Sequence, residues 1–519
     1  MAPLFDIRDW FDIRDWDRRF GLPVLRFAVE RILLGRLALP RGAVRLLLSR
    51  RLRQIGPSVE SGFYLRQLNG AARGAAARDP VLHYHLVGRF QNWAPNPGFD
   101  PIFYRERHPE LRWHDDPVLH HARLGGKAGP TVPLRPVGRR ERGNAASRPG
   151  VLTLHHSRGG GSSHFLDLYE ESLRRRGFRP VRLSRLSRAA PLFQAVDTET
   201  GEALSPVFDL FEEPERVGEL AAATKAVALV VNHLVDLPAS AFSRLPELCR
   251  VADLRLGVIL HDYFWICPRI NLVDAEGRFC GGQKGRACVG CVPAEDGGAQ
   301  SLEQWRSEAH RFLAACDRII APSRDLVDRL HRHWPDLSIR VWRPEDDNEI
   351  TPPRMPSIGP GETLRVAVLG RLNVAKGYEV VLRLAEEIAR RKAPVRLLLL
   401  GQSVGDAALR KAGVEVLGRY PPGGAEDLLR RTAPHVVFIP AIWPETWSFV
   451  LTHALRAQVP VHAFDLGAIA ERLRAIGHGT LLDPELADRP GDLLDHFLAL
   501  LPDATGQSAA ARETGELQE

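Results

Sequence analysis

The stretch His435–Leu473 constrains the fold of this chain more than any other part of its sequence. It opens with an apolar, β-branched run, Val436–Ile439, which is typical of a buried strand. Two prolines then interrupt regular structure and force a loop that carries Glu445. Beyond this loop, apolar residues at helical spacing predict a helix from near Ser448, and Val459–Phe464 predicts a second buried strand. This order of elements builds parallel sheets.

The loop between the first strand and the helix is where a ligand is expected. Ligands of open parallel sheets lie beyond the carboxyl ends of the strands, where Glu445 and Thr446 fall. The amides of Ser448 and Phe449 begin the predicted helix. Because the first amides of a helix have no intrahelical partner and its dipole is positive there, they favour phosphate. We therefore expect this loop to bind a phosphorylated ligand.

Length and composition bound the class of protein. The 519 residues allow two large domains and a further module, and no apolar run reaches the roughly 18 residues that span a bilayer. The N-terminus lacks the basic and apolar regions of a signal peptide, so we expect a cytoplasmic protein. The net charge of +7 is compatible with nucleic acid, an anionic membrane or anionic substrates, although an arginine-rich, GC-rich bacterial genome explains it more simply. Without interleaved aromatics or a recognisable module, we expect no nucleic acid.

Residues 1–56 form a basic amphipathic segment. A tandem hexapeptide, FDIRDW, occupies residues 5–10 and 11–16, and apolar clusters then alternate with arginines over residues 18–55. Such a segment can lie on the anionic inner face of a membrane. The alternative is a helix that packs on the next module and leaves its arginines in solvent.

Residues 57–130 contain a repeat. The sequence DPVLHY from Asp79 recurs as DPVLHH from Asp116, and Phe63-Tyr64 upstream of the first copy is echoed by Phe103-Tyr104. Each copy predicts two short helices, in which the aspartate caps a helix start and the following residues enter the core. This pattern favours core packing over metal binding for the histidines of the motif.

Residues 131–150 predict a polar linker, and residues 151–341 predict the first α/β domain. Its first strand is followed by a triple glycine that includes Gly160 and Gly161, and then by a helix from about His164 to Arg176. A glycine-rich turn between strand and helix lets backbone amides approach phosphate closely, although a lone triple glycine is a weak signal.

His261 is a second site candidate in this domain. It ends the predicted strand Gly257–His261, which follows another predicted strand, Ala226–Asn232. A histidine at the carboxyl end of a parallel strand lies where ligands bind. A histidine that merely caps the strand by hydrogen bonds is the alternative.

Four cysteines mark an insertion over residues 267–291. They are Cys267, Cys280, Cys288 and Cys291, spaced C-x12-C-x7-C-x2-C. The pattern predicts a tetrahedral thiolate zinc site, of which the C-x2-C end is the specific part, and partly buried free thiols are the alternative. Zinc held by four thiolates has no open position, so its role here would be structural.

Residues 342–364 predict an interdomain linker, residues 365–502 the second α/β domain, and residues 503–519 a polar tail. The second domain begins with a strand ending in Gly370-Arg371, followed by Lys376-Gly377. An arginine and a lysine on one strand-to-helix loop can grip a diphosphate from two sides. Solvated charges beside a helix start are the alternative, but Glu445 in the same predicted domain favours the diphosphate.

These motifs resemble those of family 4 ("group 1") glycosyltransferases, retaining enzymes of the GT-B fold. The G-R-x4-K-G pattern ending in Lys376-Gly377 looks like their basic motif, and PETWSFVLTHALRAQVPV looks like their donor-binding signature. That signature has two glutamates eight positions apart. The first matches Glu445, whereas His453 stands in place of the second. The repeat over residues 60–130 resembles a helical module found ahead of glycosyltransferase domains in bacterial polysaccharide enzymes such as rhamnan synthesis proteins.

The resemblance implies a fold and an activity. The fold is α/β, with two Rossmann-like domains facing a cleft, preceded by a mostly helical N-terminal module. The activity is retaining transfer of a sugar from a nucleotide-diphosphate sugar to a glycan or lipid-linked acceptor, in bacterial cell-surface polysaccharide or lipopolysaccharide biosynthesis. A GT-B-like scaffold protein without turnover is the alternative, and His453 is its best support.

The resemblance also implies roles for the candidate residues. Arg371 and Lys376 would stabilise the leaving diphosphate, so no catalytic metal is expected. Glu445 would orient the donor sugar, and His261 would contact it near the reacting carbon. The donor-binding set is completed by residues of the two glycine-rich loops and the helix start: Gly160, Gly161, Gly370, Thr446, Ser448, Phe449 and His453.

Overall fold

The computed structural model describes residues 45–46, 48–68, 70–96, 98–108, 110–111, 115–125, 129, 131, 148–156, 160–186, 191–274, 277–282, 302–345, 353, 358–421 and 423–502. The chain divides into two compact units. One contains residues 1–258, 293–300 and 315–317, and the other contains residues 259–292, 301–314 and 318–519. Within the described ranges, no helix is long and apolar enough to span a bilayer.

Short helices make up the described N-terminal region. They are α1 (Ser49–Ile55), α2 (Ser61–Arg66), α3 (Gly70–Arg78), α4 (Pro80–His83, continued by a π-helical turn, Tyr84–Gly88), α5 (Pro101–Arg107) and α6 (Pro117–Leu124). The side chains of Asp79 and Asp116 accept hydrogen bonds from the first backbone amides of α4 and α6. The predicted capped helix starts of the repeat are thereby confirmed.

The helices share one apolar core that includes α1. Leu52 and Ile55 of α1 are buried in the same cluster as Tyr64, Leu82 and Tyr104 of the repeat. The described end of the basic segment therefore packs on the helices that follow it, as the second of the two interpretations expects. Most of that segment, residues 1–44 and 47, lies outside the described residues.

The first sheet has eight strands in the order β4-β3-β2-β1-β5-β6-β7-β8. Its strands are β1 (Gly150–His155), β2 (Arg179–Arg185), β3 (Leu192–Asp197), β4 (Phe208–Asp209), β5 (Ala226–Val231), β6 (Arg255–Ile259), β7 (Arg318–Ala321) and β8 (Ile339–Val341). Strands β2, β3 and β4 pair antiparallel, whereas β1 pairs parallel with both β2 and β5. The associated helices are α7 (Gly161–Arg175), α8 (Glu215–Thr224), α9 (Ala241–Val251), α10 (Leu302–Ala314) and α11 (Arg324–His331).

The second sheet is parallel throughout its six described strands, in the order β11-β10-β9-β12-β13-β14. The strands are β9 (Leu364–Leu372), β10 (Val395–Ser403), β11 (Glu415–Val416), β12 (Val436–Ile439), β13 (Val461–Phe464) and β14 (Thr480–Leu482). Between and after them lie α12 (Tyr378–Arg391), α13 (Asp406–Lys411), α14 (Ala425–Thr432), α15 (Phe449–Arg456), α16 (Gly467–Ile476) and α17 (Pro490–Leu498). One apolar cluster packs on each face of this sheet, which explains why its strands read as continuous apolar runs.

The predicted α/β class, with two largely parallel sheets after a helical region, is confirmed. The central strand β12 has the predicted bounds, and α15 begins one residue after Ser448. Several predicted boundaries were wrong by two residues or more. The helix after the triple glycine begins at Gly161 rather than near His164. Strand β6 spans Arg255–Ile259 rather than Gly257–His261, and β13 begins at Val461 rather than at Val459.

Candidate functional site

The candidate site lies at the topological switch point of the second sheet. Strand β9 pairs with β10 on one side and with β12 on the other, so the chain leaves β9 and β12 in opposite directions. Such a divergence opens a crevice beyond the carboxyl ends of the two strands. The loop after β9 carries Lys376 and the loop after β12 carries Glu445. The Nζ of Lys376 lies 2.8 Å from Oε1 of Glu445, so the structure brings these two predicted residues together.

The lysine loop is shaped by its own backbone. The Asn373 side chain accepts a hydrogen bond of 2.9 Å from the amide of Lys376. Gly377 directly precedes α12 with φ at +85°, and a Cβ there would lie 2.0 Å from the carbonyl oxygen of Pro440. Only glycine fits this close approach of the β9 and β12 loops. Arg371 stands exposed at the end of β9, and no ion-pair partner for it exists among the described residues.

The glutamate loop holds its carboxylate in a buried position. Glu445 is 5% exposed, and its carbonyl accepts a 2.7 Å hydrogen bond from the Ala468 amide at the start of α16. The Tyr263 hydroxyl donates to the carbonyl of Pro444 at 3.0 Å. Burial raises the pKa of Tyr263, so this hydroxyl stays protonated and can donate at neutral pH. The loop is therefore fixed on both sides of Glu445.

Ser448 forms a strained turn in front of α15. Its φ of +74° lies in the left-handed region, which is costly for a residue with a side chain. Arg472 of α16, 1% exposed, supports this turn by donating to the carbonyls of Trp447 and Ser448 at 3.1 and 2.9 Å. Its guanidinium also lies 4.0 Å from the centroid of the Trp447 indole. A buried positive charge thus lies directly behind the predicted phosphate-binding amides.

Two buried donors in this loop have no hydrogen-bond partner among the described residues. They are the hydroxyl of Ser448 and the indole N–H of Trp443. Buried polar groups are nearly always hydrogen-bonded, so two such groups within six residues require an explanation.

His453 does not stand alone at the position where the resemblance expects a glutamate. Its Nδ1 lies 3.2 Å from Oε1 of Glu426, at the start of α14, and both side chains are about one quarter exposed. On the same helix as His453, the Thr452 hydroxyl donates to Glu345 at 2.7 Å. The structure therefore places a carboxylate beside position 453, although it comes from a different helix.

His261 is only partly where the sequence predicted it. It follows β6 by two residues, because the strand ends earlier than expected. Its carbonyl oxygen accepts a hydrogen bond from the Thr446 hydroxyl, the residue next to Glu445. The backbone of His261 therefore joins the glutamate loop.

The switch point of the first sheet carries the predicted glycines. Gly160 precedes α7 with φ at +83°, and Gly161 is the first residue of that helix. Nearby, His156 shares a 2.8 Å hydrogen bond with Ser162, and the Asn232 side chain contacts His155 at 3.2 Å. Burial, reinforced by His156, Arg182 and His233, lowers the pKa of His155 to about 3, so this imidazole is neutral at physiological pH.

The predicted cysteine site is only half described. Cys267 is buried and Cys280 is partly buried, and both belong to the segment after β6. Cys288 and Cys291 lie outside the described residues. The structural zinc site therefore stays a prediction.

Several residues of the site were missed in the sequence. Trp443 and Arg472 carry no motif, and Glu426 belongs to another helix than the residue it contacts. A usable signal for Arg472 was its position on the apolar face of α16, where a charged residue is unexpected. His155 and Ser162 could have been found as polar residues at a strand end and a helix start.

The fold and the site together define an α/β protein with a charged loop pair at the switch point of its second sheet. Residues 363–503 match the family described as Glycosyl transferases group 1, so this part of the chain is similar to that family. The resemblance seen in the sequence is thereby confirmed for those residues. A comparison with curated proteins found no match.

Three solved structures are similar to part of this chain. Sucrose-phosphate synthase from Thermosynechococcus elongatus is 14% identical over 68% of this chain and 90% of its own, with a TM-score of 0.46. Anabaena HepE in complex with UDP and glucose is 15% identical over 69% and 91%, with a TM-score of 0.43. A glycosyltransferase from Rickettsia africae is 12% identical over 71% and 93%, with a TM-score of 0.42.

Proposed function

We propose that this protein transfers a sugar from a nucleotide-diphosphate sugar to a glycan or lipid-linked acceptor, with retention of configuration. The observation that carries the proposal is the 2.8 Å pair of Lys376 and Glu445 at the switch point, within the segment that matches the group 1 family. A lysine held there by a buried carboxylate is positioned before any anion arrives. Preorganised charge of this kind is an effective means of stabilising a leaving group.

The roles of the site residues follow from their places in the loops. Lys376 and Arg371 would neutralise charge that develops on the departing diphosphate, which removes the need for a catalytic metal. The Ser448 hydroxyl and the amides of Ser448 and Phe449 would bind a phosphate oxygen. Arg472 would act as a positioning residue, because its charge is occupied by backbone carbonyls and does not reach the ligand itself.

The donor sugar would lie against Glu445. Its carboxylate has one oxygen on Lys376, so the other remains to accept hydrogen bonds from sugar hydroxyls. His261 and Thr446 complete this part of the site through the hydrogen bond that joins them. Glu426 and His453 together would contact the nucleotide, with the carboxylate supplying the acceptor that the imidazole lacks.

The setting of the reaction is part of the same proposal. We place the protein in the cytoplasm, peripheral to the inner face of the membrane, in bacterial surface polysaccharide biosynthesis. Within this proposal, the domain of residues 365–502 would hold the donor.

A scaffold protein without turnover is the second candidate. His453 in place of a glutamate is the specific observation that favours it. A decayed site loses the groups that bound ligand, whereas here the lysine, the buried glutamate and the supporting arginine are all in place. These retained groups favour the enzyme.

A binding panel followed by a transfer assay tests the proposal. Uridine, guanosine, adenosine and thymidine diphosphate sugars are titrated by calorimetry against the full chain. A specific ligand would also raise the apparent stability of the chain, because it binds the folded state. We expect one donor to bind and to release its nucleoside diphosphate slowly, by hydrolysis or transfer. Donor binding without release of nucleoside diphosphate would support the scaffold. Absence of binding by every donor in the panel would contradict both candidate functions.

A further inference from the structure

The second copy of the N-terminal repeat brings together three side chains that the proposed activity does not use. They are His108 after α5, Glu110 in the following loop, and His120 on α6, and their ligand atoms lie within 4.8 Å of one another. Oε1 of Glu110 is 2.9 Å from Nδ1 of His108 and 3.7 Å from Nε2 of His120. Ligand atoms around a tetrahedral zinc ion are about 3.4 Å apart, so small side-chain rotations suffice to admit one.

Tyr104 orients one of the two imidazoles. Its hydroxyl lies 2.9 Å from Nδ1 of His120, while its ring packs against His108 with centroids 4.3 Å apart. With Nδ1–H of His120 donated to this oxygen, Nε2 keeps its lone pair on the side of Glu110. Metal-binding histidines are usually held in this way through their second nitrogen.

The first copy of the repeat provides an internal comparison. There the hydroxyl of Tyr64 lies 2.9 Å from Nδ1 of His83, the same distance as in the second copy. His83, however, is fully buried and stacks on Trp93. The positions that correspond to His108 and Glu110 hold Leu68 and a glycine. The tyrosine–histidine bond is therefore common to both copies, and the further two donors occur only in the second.

We propose that His108, Glu110 and His120 bind a divalent transition metal ion, zinc in the first instance. Two imidazoles and one carboxylate suit zinc, and they leave a fourth position for water or an external ligand. The ion would join the loop after α5 to α6. Residues 112–114, between these ligands, lie outside the described residues, so the site is defined by its three ligands alone.

Zinc binding by the full-length chain tests this site. A Cys288→Ser, Cys291→Ser background removes the specific half of the predicted cysteine site, which would otherwise compete for the ion. Equilibrium dialysis against zinc chloride, followed by elemental analysis, gives the bound equivalents and the Kd. We expect about one equivalent in this background, a Kd at least tenfold weaker after His120→Ala or Glu110→Gln, and Co²⁺ spectra without thiolate charge-transfer bands.

Controls separate the site from general histidine binding and from misfolding. His310→Ala removes a histidine that pairs with one carboxylate, Asp336, at 2.8 Å and has no third ligand within the described chain. It should leave zinc binding unchanged. The Glu110 side chain is 58% exposed, so Glu110→Gln should fold normally, as circular dichroism can verify. A background protein without zinc, or equal zinc binding in all variants, would overturn the proposal.

Discussion

The two sheets place a strand-to-helix loop at the same topological position, yet the two loops differ chemically. The switch point lies between β1 and β5 in the first sheet and between β9 and β12 in the second. At the first, His155 and His156 hydrogen-bond to serines of α7, and the low pKa of His155 keeps its imidazole neutral. The second carries a lysine–glutamate ion pair and a strained turn at Ser448. The hydroxyl of Ser448 has no hydrogen-bond partner within the described chain.

The difference shows what position alone does not reveal. A switch point tells where a ligand can lie, because the diverging strands open a crevice there. Whether that ligand is an anion depends on charges, unsatisfied donors and strain. The first edge satisfies its histidines internally, whereas the second holds a cation, buried donors and a turn that a ligand would stabilise. Under the proposed function, the diphosphate would therefore bind at the second edge.

The largest expected effect separates the two glycine turns. Gly160 and Gly377 have similar φ values of +83° and +85°, so alanine costs each about 1–2 kcal/mol of backbone strain. A Cβ on Gly377 would also lie 2.0 Å from the Pro440 oxygen, whereas no described atom lies within 4 Å of one on Gly160. We expect Gly377→Ala to lose roughly 2–5 kcal/mol of unfolding free energy, against about 1–2 for Gly160→Ala. Denaturant unfolding measures both, and equal losses would contradict the steric account.

The next effect concerns charge at the second edge. Arg371→Ala and Lys376→Ala should each lower turnover of the donor about a hundredfold or more, roughly 2.7 kcal/mol, as expected for loss of a group that stabilises a developing charge. The change in turnover is easier to interpret for Arg371→Ala, because Arg371 is exposed and its removal breaks no ion pair of the described residues. Lys376→Ala also leaves the buried carboxylate of Glu445 without its lysine, which destabilises this loop in addition to removing the charge.

The matched control for these substitutions is Lys411→Ala, an exposed lysine at the end of α13, away from either switch point. Steady-state rates and Kd values of the three variants are compared on the same donor. Turnover in Arg371→Ala and Lys376→Ala equal to that of the control would remove the diphosphate role from both residues.

A smaller effect is the pH dependence of stability, which tests whether the buried imidazole of His155 at the first edge is neutral. Burial lowers the pKa of His155, and separately of His462 in β13, to about 3. The unfolded chain binds these protons near pH 6.5 and the folded chain does not, so stability is full above about pH 6.5 and falls with pH towards 3. From pH 6.5 to 5.5 we expect a loss of roughly 1 kcal/mol for each histidine. His155→Asn should remove one of these contributions and His462→Asn the other, as read from unfolding curves across pH.

The sequence predicted the second edge better than the first for a physical reason. Strand β12 is an uninterrupted apolar run, and α15 has apolar residues at regular helical spacing. Both elements can therefore be predicted directly from the sequence. Glu445 was predicted from its place beyond the carboxyl end of a strand, and Lys376 from its pairing with Arg371 on one strand-to-helix loop. The bounds of α7 and β6 were missed, because a glycine can begin a helix as readily as it can form a turn, and because a buried run continues past the last paired residue.

What the sequence could not supply were partners from distant elements. Arg472 supports the Ser448 turn from α16, and Glu426 reaches His453 from α14. Neither pairing has a fixed spacing, since each depends on how two helices pack beside the same strand. Unsatisfied donors such as Trp443 Nε1 are likewise visible only once the surrounding atoms are placed.

The smallest expected effect concerns His453, whose replacement by glutamate has two opposing consequences. A carboxylate accepts hydrogen bonds worth roughly 1.5–3 kcal/mol, against about 1 for a neutral acceptor, so donor binding should tighten about tenfold. The same carboxylate would stand beside Glu426, whose oxygen is now 3.2 Å from the imidazole. Two like charges at about 4 Å in a partly exposed setting repel by roughly 1 kcal/mol or more, which offsets most of the gain.

A double-mutant cycle separates these consequences. His453→Glu alone should change the donor Kd less than threefold, whereas His453→Glu combined with Glu426→Gln should tighten it about tenfold, because the repulsion is then absent. Glu426→Gln alone should weaken binding if its carboxylate already acts as the nucleotide acceptor. Calorimetric titration of the four proteins with one donor gives the coupling energy. A coupling of zero would mean that Glu426 does not act at position 453, and that the second edge binds its donor with an imidazole alone.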